Sequence, residues 1–177
     1  KNMLYKGEKY CSSYFVLFNG GPKNTVPALK DANVRKAMIL SVNKEVMIEI
    51  LGGGSEFIVQ LDGFIPYGFE GLSDDFRAEA SYHTYNLDEA KKLMEAAGYN
   101  ENNRLSFEYL YSNSQFHADV AQMLQQFWSQ IYIDVELKSV EGGVFYDFVD
   151  NGDFTACRYA NNDSTDPLNF FKIFTTD

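Results

Sequence analysis

The sequence is short of the residues that build metal sites and disulfide scaffolds. It has two cysteines, Cys11 and Cys157, among 177 residues. That is too few for a disulfide framework and too few for a zinc site. They read either as small buried residues in strands or as one bridge tying the first strand to a later one, which an exported protein would permit. The two histidines, His83 and His117, lie apart in sequence, with no acidic or thiol partner at ligand spacing. They read as ordinary surface or core residues, and no metal site is predicted. No apolar run is long enough to span a bilayer. Positive charge is scarce: 15 Lys and Arg stand against 25 Asp and Glu, a net charge of -10. A polyanionic surface repels phosphate backbones and no basic cluster offsets it, which argues against nucleic acid as a partner.

Enzyme signatures are missing as well. There is no GxSxG elbow, no GxxxxGK[ST] loop, no HExxH and no CxxC. The glycine run at Gly52 follows a helix, whereas a dinucleotide loop needs a strand before its glycines and a helix after them. A small α/β hydrolase or transferase would need a nucleophile with a base in reach, and neither histidine offers one. The chain is expected to be no enzyme and to carry no cofactor. No internal repeat or low-complexity segment is present.

What the sequence does have is aromatic residues, at 16%. Such a load fills a core, and any surplus suits a binding face. Tyr14–Phe18 reads as a buried strand. Asp31 is positioned to cap a helix with Val34, Ala37, Met38 and Ser41 inward and Arg35 and Lys36 outward. Asn43 can cap a second helix with Met47, Ile50 and Leu51 inward. Residues 55–85 keep no period and read as a long irregular loop, a kind that is often functional. Asn86 with Glu89 resembles a capping box before a helix striped by Ala90, Leu93, Met94 and Ala97, and Gly98 ends it.

Strand Leu105–Tyr111, helix Gln115–Gln130, strand Ile131–Leu137, helix Val144–Val149 and strand Phe154–Tyr159 follow. Gly152 closes the second of these helices, and Pro167 opens a last helix over Leu168–Phe174. Strands alternating with helices predict parallel pairing with helices on the sheet faces. In such sheets ligands bind in the crevice outside the carboxyl ends of the strands. Asp163 and Asp166 lie in a polar turn just past a strand end. Asp163 reads equally as an acceptor for a ligand ammonium and as a turn-shaping residue. Asp166, directly before Pro167, reads as a helix cap.

Four stretches together resemble the peptide-binding class of extracytoplasmic solute-binding proteins, the oligopeptide and dipeptide receptors of ABC importers. They are DANVRKAMILSVNKEVMI from Asp31, YNLDEAKKLMEAAGY from Tyr85, IDVELKSVEGGVFYDFVDNGDFTACRY from Ile133 and DSTDP from Asp163. They occur in the family's order across most of the chain. The resemblance implies one lobe of a two-lobe, periplasmic-binding-protein-like (type II) α/β fold, with a mixed sheet and helices on its faces. Residues 1–177 would form a partial second (C-terminal) lobe, with the first lobe and the C-terminal return segment absent. The opening KNMLYKGEKY likewise reads as the interior of a longer protein. The implied parent is an extracytoplasmic, lipid-anchored receptor that captures a peptide between its lobes and docks on an ABC permease.

The resemblance also assigns the ligand-binding residues. Asp163 would take the ligand's ammonium, and Tyr159, Ala160 and Asn161 would border the cleft. Arg158 would meet a ligand carboxylate. Gly142 and Val149 stand where other members carry an aromatic and a basic side chain, and Tyr132 replaces a glycine before the strand. The alternative solutes within the family are a nickel complex, haem or a sugar.

Overall fold

A computed structural model of the chain describes residues 12–52, 58–61 and 84–161. The chain divides into two compact units, and the larger one, Phe15–Gln60 with His83–Tyr159, holds nearly all the described residues. Its elements in order are β1 (Ser13–Phe18), a 3-10 turn (Pro27–Lys30), α1 (Ala32–Leu40), α2 (Lys44–Gly52), α3 (Leu87–Ala96), β2 (Leu105–Ser112), α4 (Gln115–Ser129), β3 (Ile133–Val140), α5 (Gly142–Asp150) and β4 (Ala156–Asn161).

The sheet order is β1-β4-β2-β3. β2 pairs in parallel with β3 from Leu105↔Ile133 to Ser112↔Val140, and in parallel with β4 at Tyr109↔Ala156 and Leu110↔Cys157. The Asn19 N–H donates to Thr155 O at 3.0 Å, joining the end of β1 to the start of β4. β1 therefore runs against β4, and the sheet is mixed, as expected. α4 and α5 make the crossovers between parallel strands.

Alternation along β2 divides the core. Phe107 and Tyr109 face Trp128 of α4, with ring centroids 5.9 and 6.0 Å away. Trp128 is 2% exposed, and its Nε1 donates to Met38 O at 3.1 Å, which fixes α4 to α1. α1 in turn packs on α3. On the opposite face Leu110, Cys157 and Phe145 form a second cluster, lined by Leu17, Val140, Phe148, Val149 and Phe154. The helix of Gln115–Ser129 buries Val120, Ala121, Leu124 and Trp128, with Met123 and Phe127 half-buried beside them.

The predicted caps form. Asp31 accepts from Asn33 N, Asn43 from Val46 N and Asn86 from Glu89 N. Gly98 takes φ 92, the left-handed conformation that closes α3. Two expectations need correction. Ile50 is 65% exposed, and α2 buries no residue fully. Periodicity selected the apolar stripe correctly, but α2 only leans on α4 and nothing among the described residues covers Ile50. β3 also starts later than Ile131, because Tyr132 sits at φ 66. This is the site where the family resemblance expects glycine. The Tyr132 hydroxyl donates to Glu95 at 2.8 Å.

A polar latch closes one side of the sheet. Asn19 Nδ2 donates to Gly152 O at 2.9 Å and to Phe154 O at 2.8 Å. Lys23 Nζ donates to Asn151 O and pairs with Asp153 at 2.7 Å. Gly152, at φ 68, makes the tight turn that presents these carbonyls.

Candidate functional site

β2 and β4 run in the same direction, so Ser112 and the last residues of β4 emerge at one edge. Helices begin at this edge. The Ser114 N–H donates to Ser112 O at 2.8 Å, and Ser114 Oγ then caps α4 by accepting from the His117 N–H at 3.2 Å. α5 begins at Gly142 after Glu141, which makes no side-chain capping bond. The first-turn amides of α4 and α5 thus open at the strand ends, where their partial positive charge favours an anion.

Arg158 of β4 dominates this corner. It is only 7% exposed. Its Nη2 donates to Ser112 Oγ at 2.6 Å, and its guanidinium lies 4.3 Å from the Phe145 ring centroid and 5.9 Å from that of Tyr146. Ring faces attract a desolvated cation by up to about 2 kcal/mol, which helps to hold this charge under cover. Its Nε is buried, with no hydrogen-bond partner among the described residues, and no carboxylate among them pairs with the guanidinium. Among the described residues this buried guanidinium has an unused donor and no counterion, a combination that an anionic group would satisfy.

The neighbours complete the corner. His117 is part-buried in the first turn of α4, and burial and then the Arg158 charge hold its imidazole below the ordinary histidine range. The Tyr159 ring lies 5.6 Å from Phe15. Burial raises its hydroxyl pKa above the usual tyrosine value, as do Tyr146 and Asp150 to a smaller degree. Tyr146 itself is exposed. Gly142 is partly exposed, and a Cβ built there would meet nothing within 4 Å, so its lack of a side chain leaves open space. Ala160 and Asn161 complete β4 and are partly buried. Asp163 and Asp166 lie outside the described residues, as do His83 and Cys11. Cys157 is a buried free thiol, consistent with the buried-residue reading of that cysteine.

Of the six residues expected to bind ligand, Arg158, Tyr159 and Gly142 thus lie along the carboxyl edge of the sheet in one unit. Ser112, Phe145, Tyr146 and His117 were not anticipated. Their common signal is position, at a strand end or in the first turns of the helices that follow.

The mixed sheet with helices on its faces matches a part of the fold of type II periplasmic binding proteins. A Helicobacter pylori periplasmic binding protein, DppA, solved in complex with the peptide STSA, superposes with a TM-score of 0.77 at 20% identity, over 91% of this chain and 29% of that one. The chain belongs to the bacterial extracellular solute-binding proteins, family 5, whose "Middle" segment matches residues 1–177. It is 26% identical over 167 residues to the periplasmic murein peptide-binding protein MppA of Escherichia coli K12, covering 93% of this chain and 30% of that protein. It is 27% identical over 157 residues to the periplasmic oligopeptide-binding protein OppA of Haemophilus influenzae, covering 86% and 29%. The chain therefore spans about three tenths of the length of these curated relatives.

Proposed function

We propose that residues 1–177 are part of the second lobe of an extracytoplasmic receptor that captures peptides and delivers them to an ABC permease in the membrane. The observation that carries this reading is the family match along the whole chain, joined to relatives named for murein-peptide and oligopeptide binding. The anion-ready corner at the carboxyl edge of the sheet supports it. The protein binds and releases its solute without chemical change, and a lipid anchor in the parent keeps it at the membrane.

Each expected residue has a role in this reading. The backbone of Tyr159, Ala160 and Asn161 pairs with the extended peptide as an added strand. Asp163 takes the peptide's ammonium, and Arg158 faces a ligand carboxylate. Gly142 leaves room for a ligand side chain. Closure of the lobes excludes water and strengthens both charge pairs.

The test is calorimetry on the intact protein. Asp163→Ala should weaken peptide binding by about 2–5 kcal/mol, the range for truncating one partner of a buried charge pair. N-acetylated peptides should fail to bind. Unchanged affinity in the variant together with full binding of acetylated peptides would refute the reading.

A further inference from the structure

Beside the buried guanidinium of Arg158, the first turns of α5 leave an apolar surface uncovered. The guanidinium lies against two rings of this helix, 4.3 Å from the centroid of Phe145 and 5.9 Å from that of Tyr146. The two rings meet edge to face at 5.4 Å, yet their surroundings differ. Phe145 is fully buried, whereas Tyr146 is 50% exposed. Gly142, Tyr146 and Val149 recur at helical spacing and share one face of α5. A long helical side chain leans toward the helix N-terminus, so the Tyr146 ring leans over the turn that Gly142 begins. A Cβ at Gly142 would meet nothing within 4 Å, the Tyr146 ring included. The face therefore holds an uncovered ring, an open step beside it and a buried cation behind it. Gly142, Tyr146 and Val149 carry no charge, and the charged residues nearest them along the chain, Glu141, Asp147 and Asp150, are all exposed acids.

We propose that Tyr146, with the open step at Gly142, selects an aromatic or large apolar side chain on the peptide residue whose carboxylate meets Arg158. This inference rests on the peptide-receptor reading above and adds a side-chain preference to it. A C-terminal residue carries its carboxylate and its side chain on one Cα. It can therefore bridge the 5.9 Å between the guanidinium and the Tyr146 ring. A flat or aliphatic side chain in that place covers the exposed ring and removes apolar area of both partners from water. The side chain of alanine is too short to reach the ring. An acidic side chain meets like charge at Glu141, Asp147 and Asp150, and juxtaposed like charges select against a ligand.

The experiment is calorimetry on the intact protein with pools of alanine peptides of two to five residues and free termini. The pools end in Phe, in Ala or in Glu, and a further pool carries Phe at the first residue instead. The Phe-ended pool should bind at least about fivefold more tightly than the Ala-ended pool, the scale set by half-burying one benzyl side chain against a ring. The Glu-ended pool should gain nothing over the Ala-ended one. The preference for Phe should disappear in Tyr146→Ala, survive in Tyr146→Phe and shrink in Gly142→Phe, which fills the step. A smaller native preference overturns the inference and leaves the peptide reading standing. A preference that survives in Tyr146→Ala, with all pools weakened alike, also overturns it, as does an equal gain from Glu or from Phe at the first residue. Absence of binding by every pool counts against the peptide reading itself, and the inference falls with it.

Discussion

At the scale of single residues, Cys157 and Arg158 are adjacent in sequence yet meet opposite demands. Cys157 lies in the apolar cluster with Leu110 and Phe145, and burial pushes its thiol pKa up to about 12. The folded pKa lies above that of the unfolded thiol, so folding favours the protonated form. The stability this contributes is complete below the unfolded pKa of about 8.5 and is lost as pH rises toward 12. In a Cys11→Ser background, Cys157 should resist a thiol reagent at pH 8 in the native state and react at once in urea. Rapid native labelling would contradict its burial.

Trp128 gives a second residue-scale prediction. Trp128→Ala should destabilise the domain by about 3–5 kcal/mol, because it opens a cavity under Phe107 and Tyr109 and removes the indole bond to the Met38 carbonyl, which keeps only the Ser41 hydroxyl as a side-chain donor. Urea unfolding followed by circular dichroism measures this. The sequence assigned Arg158 a ligand-facing role by resemblance. It could not reveal Ser112, Phe145 or His117 as neighbours, because those contacts cross strands and helices that only the folded sheet brings together.

At the scale of elements, the start and stop signals were the most legible part of the sequence. Asp31, Asn43 and Asn86 cap their helices through bonds to amides two or three residues on, which is short-range chemistry that one chain segment carries by itself. What lay beyond reach was whether a stripe would be covered. Ile50 belongs to the apolar side of α2 and remains exposed, so Ile50→Ser should change stability by less than about 0.5 kcal/mol. A loss of several times that in a thermal melt would show a cover over α2. The start of β3 was illegible for a similar reason. Nothing in the sequence marks a tyrosine for the left-handed region, and only the family's usual glycine hinted that Tyr132 occupies such a site.

The latch at Asn19 was equally hidden, since both carbonyls it holds lie more than 130 positions along the chain. Asn19→Ala removes the side-chain donor of two part-buried carbonyls and should destabilise by about 1–3 kcal/mol. Hydrogen exchange should locate the loss at the turn before β4.

At the scale of the whole molecule, parallel pairing followed from alternation, since strand–helix–strand repeats leave it as the natural arrangement, whereas the mixed sheet of a type II lobe came from the family resemblance. Function did not follow in this way. The carboxyl edge of a sheet indicates where a solute binds but not which one, and the peptide reading came from the family motifs. In that reading the captured solute is held by two lobes. A polypeptide limited to residues 1–177 should therefore show peptide affinity weaker than the intact receptor by orders of magnitude. Its exposed apolar residues, Val46 and Ile50 among them, should promote self-association measurable by light scattering. Full affinity in the isolated chain would remove the need for a second lobe.

The strand order sets a timetable for synthesis. Among the described strands β1 leaves the ribosome first, yet its neighbour in the sheet is β4, the last of the four to be made. β2 and β3 can zip together as soon as α4 has emerged between them. β1 cannot join β4 until Thr155 and the carbonyls at Gly152 and Phe154 exist for Asn19 to hold. Translation of this segment thus exposes an aromatic strand for most of its duration, and such exposure is where a nascent chain is most open to wrong partners or to a chaperone.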